Sequence, residues 1–313
     1  MLGKTAGGLF WMFRYLERSE NTARLVDAGF RMALTRTGAA DDEWASVLTT
    51  AGVRQAFLEK HETFEAAAVI DFLLRDKGNP GSVLSVVEAA RNNARLVRTA
   101  LTREVWEATN ECWITLKSVL ARPVRERELP DVLGAIRQQS ALVRGALHGT
   151  MLRNDIYNFT RIGTFIERAD STARILDVKY YVLLPSVSQV GSSLDNVQWE
   201  KILRSVSAQR AYRWLHPGEI RPVGIAEFLI LDRRLPRSLA FCYDKLVDNL
   251  NHLGRDYGLR HRCHELADVA CARLKAHSIE QIFDLGLHEF ITEFLRHNAE
   301  LGQQIEADYR FLE

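Results

Sequence analysis

Apolar residues recur at spacings of three and four along nearly the whole chain, while the alternating β-branched runs and Asn-Gly turns of hairpins are missing. The pattern predicts an all-α protein with helices near 6–36, 42–59, 63–76, 81–101, 103–120, 131–152, 155–183, 196–213, 223–232, 236–254, 258–276 and 279–311. The prolines agree with these breaks. Pro80 and Pro236 stand at or just before a first helical turn, where a missing N–H costs nothing, and Pro123, Pro130, Pro185, Pro217 and Pro222 fall in connections. The charged, proline-flanked stretch 122–130 is the best linker candidate. It divides a first helical unit, 1–121, from a second, 131–313, although one fused body fits the same pattern.

Internal similarity sharpens this division. Tyr15-Leu-Glu-Arg-Ser-Glu-Asn-Thr-Ala-Arg-Leu-Val-Asp27 aligns without a gap on Phe165-Ile-Glu-Arg-Ala-Asp-Ser-Thr-Ala-Arg-Ile-Leu-Asp177. After a small insertion Trp44, Leu48, Ala56 and Phe57 fall on Trp199, Leu203, Ala211 and Tyr212. Phe72, Leu73, Asp76, Pro80 and Ser82 then fall on Phe228, Leu229, Asp232, Pro236 and Ser238. Unrelated helices share composition, but not Trp, Pro and Glu-Arg landmarks in one order. The expected architecture is therefore a multi-helix bundle built from two diverged copies of one helical unit. Beyond Ser82 and Ser238 the copies diverge, so an asymmetric function would use those parts.

On a helical wheel the residues common to both Glu-Arg helices, Glu17, Arg18, Thr22, Ala23, Arg24 and Asp27, point in nearly every direction. Each such helix is expected to be surrounded by others, and its charged groups must find partners there. Glu20 with Arg24 and Asp170 with Arg174 are i,i+4 pairs, worth a few tenths of a kcal/mol each. Adjacent residues diverge by about 100° around the axis, so Glu17 and Arg18, or Glu167 and Arg168, are expected to reach other helices rather than each other. Two roles compete for them. They pin helix packing through buried ion pairs, crosswise between the copies, or they form a polar pocket in which a carboxylate serves as base or metal ligand and a guanidinium clamps a carboxylate or phosphate. Glu17, Arg18, Glu167 and Arg168 are thus the candidate catalytic residues.

Charge and composition narrow the field. With 41 basic and 40 acidic residues there is no global field to draw nucleic acid or an anionic membrane. The short apolar run before Arg14 falls below the length of a signal peptide or membrane span, which points to a cytoplasmic protein. Cys112, Cys242, Cys263 and Cys271 lack CxxC spacing and read as structural thiols. Arg91, Arg95 and Arg98 form a basic stripe, either an anion site or a face that docks on Glu104 and Glu107. Trp106 and Trp113 on the next helix read as core. Asp248/His252, Asp284/His288 and Glu293/His297 are i,i+4 pairs without a di-iron or zinc-protease motif, and His261, Cys263 and His264 share one turn, so no metal site is assigned. No phosphate loop, nucleophile elbow or kinase signature occurs, so no cofactor is expected in this chain and any ATP would be held by a partner.

Gly7-Gly-Leu-Phe-Trp-Met-Phe-Arg-Tyr-Leu-Glu-Arg-Ser-Glu-Asn-Thr-Ala-Arg-Leu25 and the segment from Ile162 to Tyr180 resemble the bacterial Alpha-E family, a predicted helical domain named for its Glu-Arg motif. Asn79 to Ser85, Ala90 to Arg95, Glu104-Val-Trp-Glu107 and Gly149 to Arg153 extend the likeness over essentially the whole chain. The resemblance implies association with a circularly permuted ATP-grasp peptide ligase and a transglutaminase-like cysteine peptidase in a peptide-synthesis or peptide-modification system. Two roles follow as expectations. One is an accessory, non-catalytic helical partner that presents a peptide substrate or docking surface; the other is an enzyme of the same pathway using the Glu/Arg pocket for acyl or amide chemistry. A scaffold should tolerate Glu17→Gln if the fold survives, whereas a general base should lose activity at unchanged melting temperature. A helical anion or nucleotide sensor built on Arg91, Arg95 and Arg98 is a third expectation.

Overall fold

Helical periodicity is realised throughout the computed structural model, which describes residues 1–34, 40–183, 193–218 and 221–312. Among these residues there is no strand, and fifteen α-helices follow one another. They are α1 (Gly3–Ala33), α2 (Ala40–Ala51), α3 (Arg54–Leu58), α4 (Ala66–Leu74), α5 (Val83–Leu96), α6 (Arg103–Val119), α7 (Leu129–Thr150) and α8 (Asp155–Leu183). The remainder are α9 (Ser193–Ser205), α10 (Gln209–Leu215), α11 (Pro222–Ile230), α12 (Leu239–Tyr257), α13 (Arg262–Ala276), α14 (Ile279–Leu285) and α15 (Leu287–Asp308). Pro130 and Pro222 lie in the first turns of α7 and α11 rather than in connections, at positions whose N–H needs no helical partner. Pro185 and the expected helix end at 35–36 lie outside the described residues.

Three expected helices, 42–59, 196–213 and 279–311, are each two, and every break falls on a left-handed residue: Gly52 (φ 71°), Ser207 (φ 57°) and Gly286 (φ 96°). A left-handed residue turns the chain out of the helix and lets the next N–H reach back to a terminal carbonyl. At Gly52 the Val53 N–H donates to the Leu48 carbonyl at 3.0 Å, and at Ser207 the Ala208 N–H donates to the Leu203 carbonyl at 2.8 Å.

α1 and α8 form the centre. They pack on each other, α1 is flanked by α5 and α7, and α8 is flanked in the same way by α12 and α15. α2 lies against α8 and α9 against α1, so each half reaches across to the other's central helix. One continuous apolar core results, including Phe10, Phe13, Phe159 and Phe165. Buried positions on α1, from Leu9, Phe10, Met12 and Phe13 through Glu17, Ser19, Glu20 and Asn21, encircle the helix rather than marking one stripe. The crossing is tight at Gly163, where a Cβ would stand 2.3 Å from the Phe10 carbonyl oxygen.

Small landmarks recur at matched positions. His61 stacks on Phe57 with ring centres 4.4 Å apart, and His216 stacks on Tyr212 at 4.6 Å. Ser82 caps α5 by accepting from the Ser85 N–H, and Ser238 caps α12 by accepting from the Phe241 N–H, each leaving one fewer unsatisfied donor at a helix start. Asp76 accepts from the Gly78 N–H at 2.7 Å, as Asp232 does from the Arg234 N–H at 2.8 Å. Among the described residues no helix is long and apolar enough to cross a membrane.

Candidate functional site

Where α1 and α8 cross, each Glu-Arg pair faces the other. Arg168 donates through Nε and an η-nitrogen to the two oxygens of Glu17, at 2.8 and 2.9 Å. Arg18 does the same to Glu167, at 2.5 and 2.9 Å. Adjacent residues on one helix diverge, which is why Glu17 and Arg18 each find the complementary member of the opposite helix. Two parallel N–H···O bonds fix both distance and orientation, so the pair sets the register of α1 on α8. Glu17 is 2% and Glu167 5% exposed, too little for water to screen either charge.

Further arginines close around these carboxylates. Arg14 donates to Glu167 at 3.0 Å. Arg237, from the turn before α12, donates to Glu20 at 2.6 Å and to the Asn21 side-chain oxygen at 3.0 Å, and lies 3.3 Å from Glu17. Arg144 of α7 bonds Glu20 and sits 3.5 Å from Glu17. The i,i+4 bond of Arg24 to Glu20, at 2.7 Å, is present as expected, but Glu20 is buried and shared among three arginines, well beyond a surface pair. Arg174 holds Asp170 at 2.6 Å.

This charge arrangement decides the ionisation. Burial alone would raise the Glu17 carboxyl, yet Arg168, Arg237 and Arg144 hold it far below the usual carboxylate range. Burial likewise opposes ionisation of Glu167, and Arg18 and Arg14 override it. Glu20 is raised by burial and by the Glu17 charge, and is nonetheless held low by Arg237, Arg144 and Arg24. Burial pushes Arg237 down to about 10, which leaves it charged at neutral pH. A general base needs a proton affinity near the working pH and an accessible lone pair. Glu17 and Glu167 are both held below the usual carboxylate range by their arginines.

Beside these ion pairs lies a cavity of about 430 Å³, walled by Arg18, Asn21, Glu167, Asp170, Ser171 and Arg174 on the central helices. Gly52 and Val53 close it from the α2–α3 turn, and Asn79, Pro80 and Gly81 from the α4–α5 turn. Asn79 is itself held, donating to the Phe72 carbonyl at 2.9 Å and accepting from the Gly81 N–H at 2.9 Å.

The other candidates lie elsewhere. Arg91 donates to Asn110 at 2.8 Å, Arg95 is exposed, and Arg98 stacks over Trp106 at 4.9 Å. α5 ends at Leu96 and Arg98 belongs to the 3₁₀ turn that follows, so the stripe does not continue on one helix face. Glu107 bonds Arg103 at 2.7 Å rather than this stripe. Trp113 is buried and Trp106 half-buried. His288 pairs with Asp177 of α8 at 2.6 Å. His264 bonds the Leu250 carbonyl at 3.0 Å with one ring nitrogen. Among the described residues no group of three or more His, Cys, Asp or Glu is arranged to hold a metal ion. All four cysteines are buried and free, and burial pushes the Cys112 and Cys242 thiols up to about 12.

Reading the Glu-Arg helices alone misses Arg14, Arg144 and Arg237. Arg237 was detectable, since the aligned prolines and serines set it opposite Gly81. Arg14 aligns with Thr164, and Arg144 lies outside the aligned segments, so neither carries a sequence signal.

Comparison with known proteins agrees with the motif at this crossing. Three uncharacterized proteins, one of Mycobacterium bovis and two of Mycobacterium tuberculosis, are each 23% identical over 308 residues, covering 92% of this chain. The match takes up 34% of each relative, so the chain spans about a third of their length. No solved structure matches. Residues 1–310 match Alpha-E, described as a predicted alpha-helical domain with a conserved ER motif, and the chain belongs to that family.

Proposed function

We propose that the chain is an accessory, non-catalytic helical partner in an ATP-dependent peptide synthesis or modification system. It works beside an ATP-grasp ligase and a transglutaminase-like protein, which supply nucleotide and chemistry. The observation that carries this reading is the saturation of the Glu-Arg motif. Each carboxylate that would act as a base is gripped by at least two guanidinium groups and held ionised, so the motif serves as a structural clamp. The buried cysteines, with thiols pushed up, offer no activated nucleophile. The relatives are consistent with an accessory unit, since the matched segment is joined there to a much longer polypeptide.

The two halves are, in the same proposal, diverged copies of one duplicated unit. The reciprocal ion pairs, the left-handed breaks at Gly52 and Ser207, the stacked His61 and His216, and the Ser82 and Ser238 caps support it. The clamp joins the copies, which explains why one motif is needed twice.

Affinity purification of the tagged chain from its native cell, with mass spectrometry of co-purifying proteins, tests the partner reading. Recovery of an ATP-grasp ligase or a transglutaminase-like protein is the expected result. A chain that emerges alone and turns over a peptide or acyl substrate by itself overturns it in favour of an enzyme.

A further inference from the structure

We propose that the cavity between α1, α8 and the turns at Gly52 and Gly81 is a binding site for a guanidinium group. The other half of the molecule contains the same site already filled. Arg237 follows Pro236 and precedes the Ser238 cap, as Gly81 follows Pro80 and precedes the Ser82 cap. From that place the Arg237 side chain runs inward to Glu20, Asn21 and Glu17. The residues aligned with those three are Asp170, Ser171 and Glu167, and all three line the cavity beside Gly81. Arg174 and Arg18 stand there as Arg24 and Arg168 stand around Arg237, each bonded to its own carboxylate.

Glycine at position 81 removes the side chain that would plug the cavity, and the space left is that of the missing arginine together with an opening toward solvent. Among the described residues, four arginines, Arg24, Arg144, Arg168 and Arg237, surround Glu17 and Glu20, whereas three, Arg14, Arg18 and Arg174, surround Glu167 and Asp170. The arginines already in the cavity wall do not exclude another, because the filled half holds one more around the same pair of carboxylates. Among the described residues Asp170 receives only Arg174, which leaves acceptor capacity on a carboxylate that lines the cavity. A planar, fork-shaped cation is the group this geometry matches. At about 430 Å³ the cavity has room for an arginine side chain with part of its backbone. The guanidinium comes from free arginine-like molecules or from an arginine of a peptide, and the assignment holds whether the chain works beside a ligase or alone.

Calorimetric titration of the full chain with methylguanidinium, L-arginine and acetyl-arginine-amide tests this, with urea as the uncharged look-alike. Saturable one-to-one binding of the guanidinium compounds and none of urea is expected. Gly81→Arg, which supplies the plug in place, should abolish it, and Asp170→Asn should weaken it about tenfold or more. Gly81 has no left-handed φ, and its nearest neighbour to an added Cβ is the Asn79 side chain at 3.2 Å. If Gly81→Arg does not fold by circular dichroism, Asp170→Asn decides. Equal binding of L-arginine and the capped compound assigns a small-molecule ligand; clear preference for the capped compound assigns a peptide arginine. Absence of binding by every guanidinium compound, equal binding of urea, or affinity unchanged in the folded variants overturns the assignment.

Discussion

Arg168 holds Glu17 through two parallel bonds of 2.8 and 2.9 Å across the α1–α8 crossing, 151 residues apart in the chain. Arg18 and Glu167 repeat the grip in the opposite sense. Both carboxylates and Arg168 are withdrawn from water, while Arg18 keeps part of its side chain exposed, so the carboxylates and Arg168 depend on their partners for solvation. Their removal singly therefore differs from the loss of a surface ion pair.

Glu17→Gln keeps the shape and removes the charge, leaving Arg168, Arg237 and Arg144 facing a neutral group. A loss of about 3–5 kcal/mol is expected, since breaking a buried pair from one side strands its partner. Urea denaturation measures it, and a loss near zero would contradict the clamp. A scaffold is expected to tolerate this substitution only if the fold survives that loss.

Pairwise coupling separates clamp from bystander. In a double-mutant cycle of Glu17→Gln and Arg168→Met, the double variant should be more stable than the sum of the single losses predicts, by about 1–3 kcal/mol. Strict additivity would mean that the two groups do not act as a pair.

Gly163→Ala places a methyl group 2.3 Å from the Phe10 carbonyl oxygen, and backbone gives way less readily than a side chain. The central helices must separate, at about 1–3 kcal/mol. Thermal melting should show the loss, while Gly134→Ala, at a position with open space around it, should not lower stability.

Gly52→Ala should cost about 1–2 kcal/mol, because φ there is 71° and an added Cβ meets the carbonyl in a left-handed backbone. The space is open apart from Arg174 at 3.5 Å, so denaturation of this variant isolates the backbone effect.

Acid should destabilise the protein in two stages. His148 accepts from Arg161 at 2.9 Å and sits 3.0 Å from the Tyr157 hydroxyl. His148 stands at the surface, where desolvation by its neighbours and then the charges of Arg161, Arg153, Arg144 and Arg168 push the ring down to about 4, whereas in the unfolded chain it takes up its proton near 6.5. The unfolded state therefore binds more protons between those values, and stability falls as pH drops from about 6.5 to about 4. Glu17, Glu20 and Glu167 are depressed in the fold, so their contribution is fully present above the ordinary carboxylate value of about 4.3 and declines below it. His148→Gln should flatten the upper stage and leave the lower one. An unchanged pH profile in that variant would assign the upper stage to another group.

The residue pattern alone determined the helical class, most element boundaries, the paired Glu-Arg helices and the outward reach of their charges. These follow from local rules of spacing, capping and the divergence of adjacent side chains around a helix axis. It missed three helix breaks. Gly52 and Gly286 sit within amphipathic runs, where periodicity does not report φ, and Ser207 adopts a backbone angle that serine seldom takes. Only the tertiary structure decided which carboxylate meets which guanidinium, because partners some 150 residues apart are chosen by how helices cross rather than by spacing along either one. It decided Arg14 and Arg144 in the same way, since helix packing alone brings them to the crossing. The cavity is the strongest case. A glycine at position 81 opposite Arg237 is one letter in an alignment, and it becomes a site only when the fold sets Glu167 and Asp170 around the space that the missing side chain leaves.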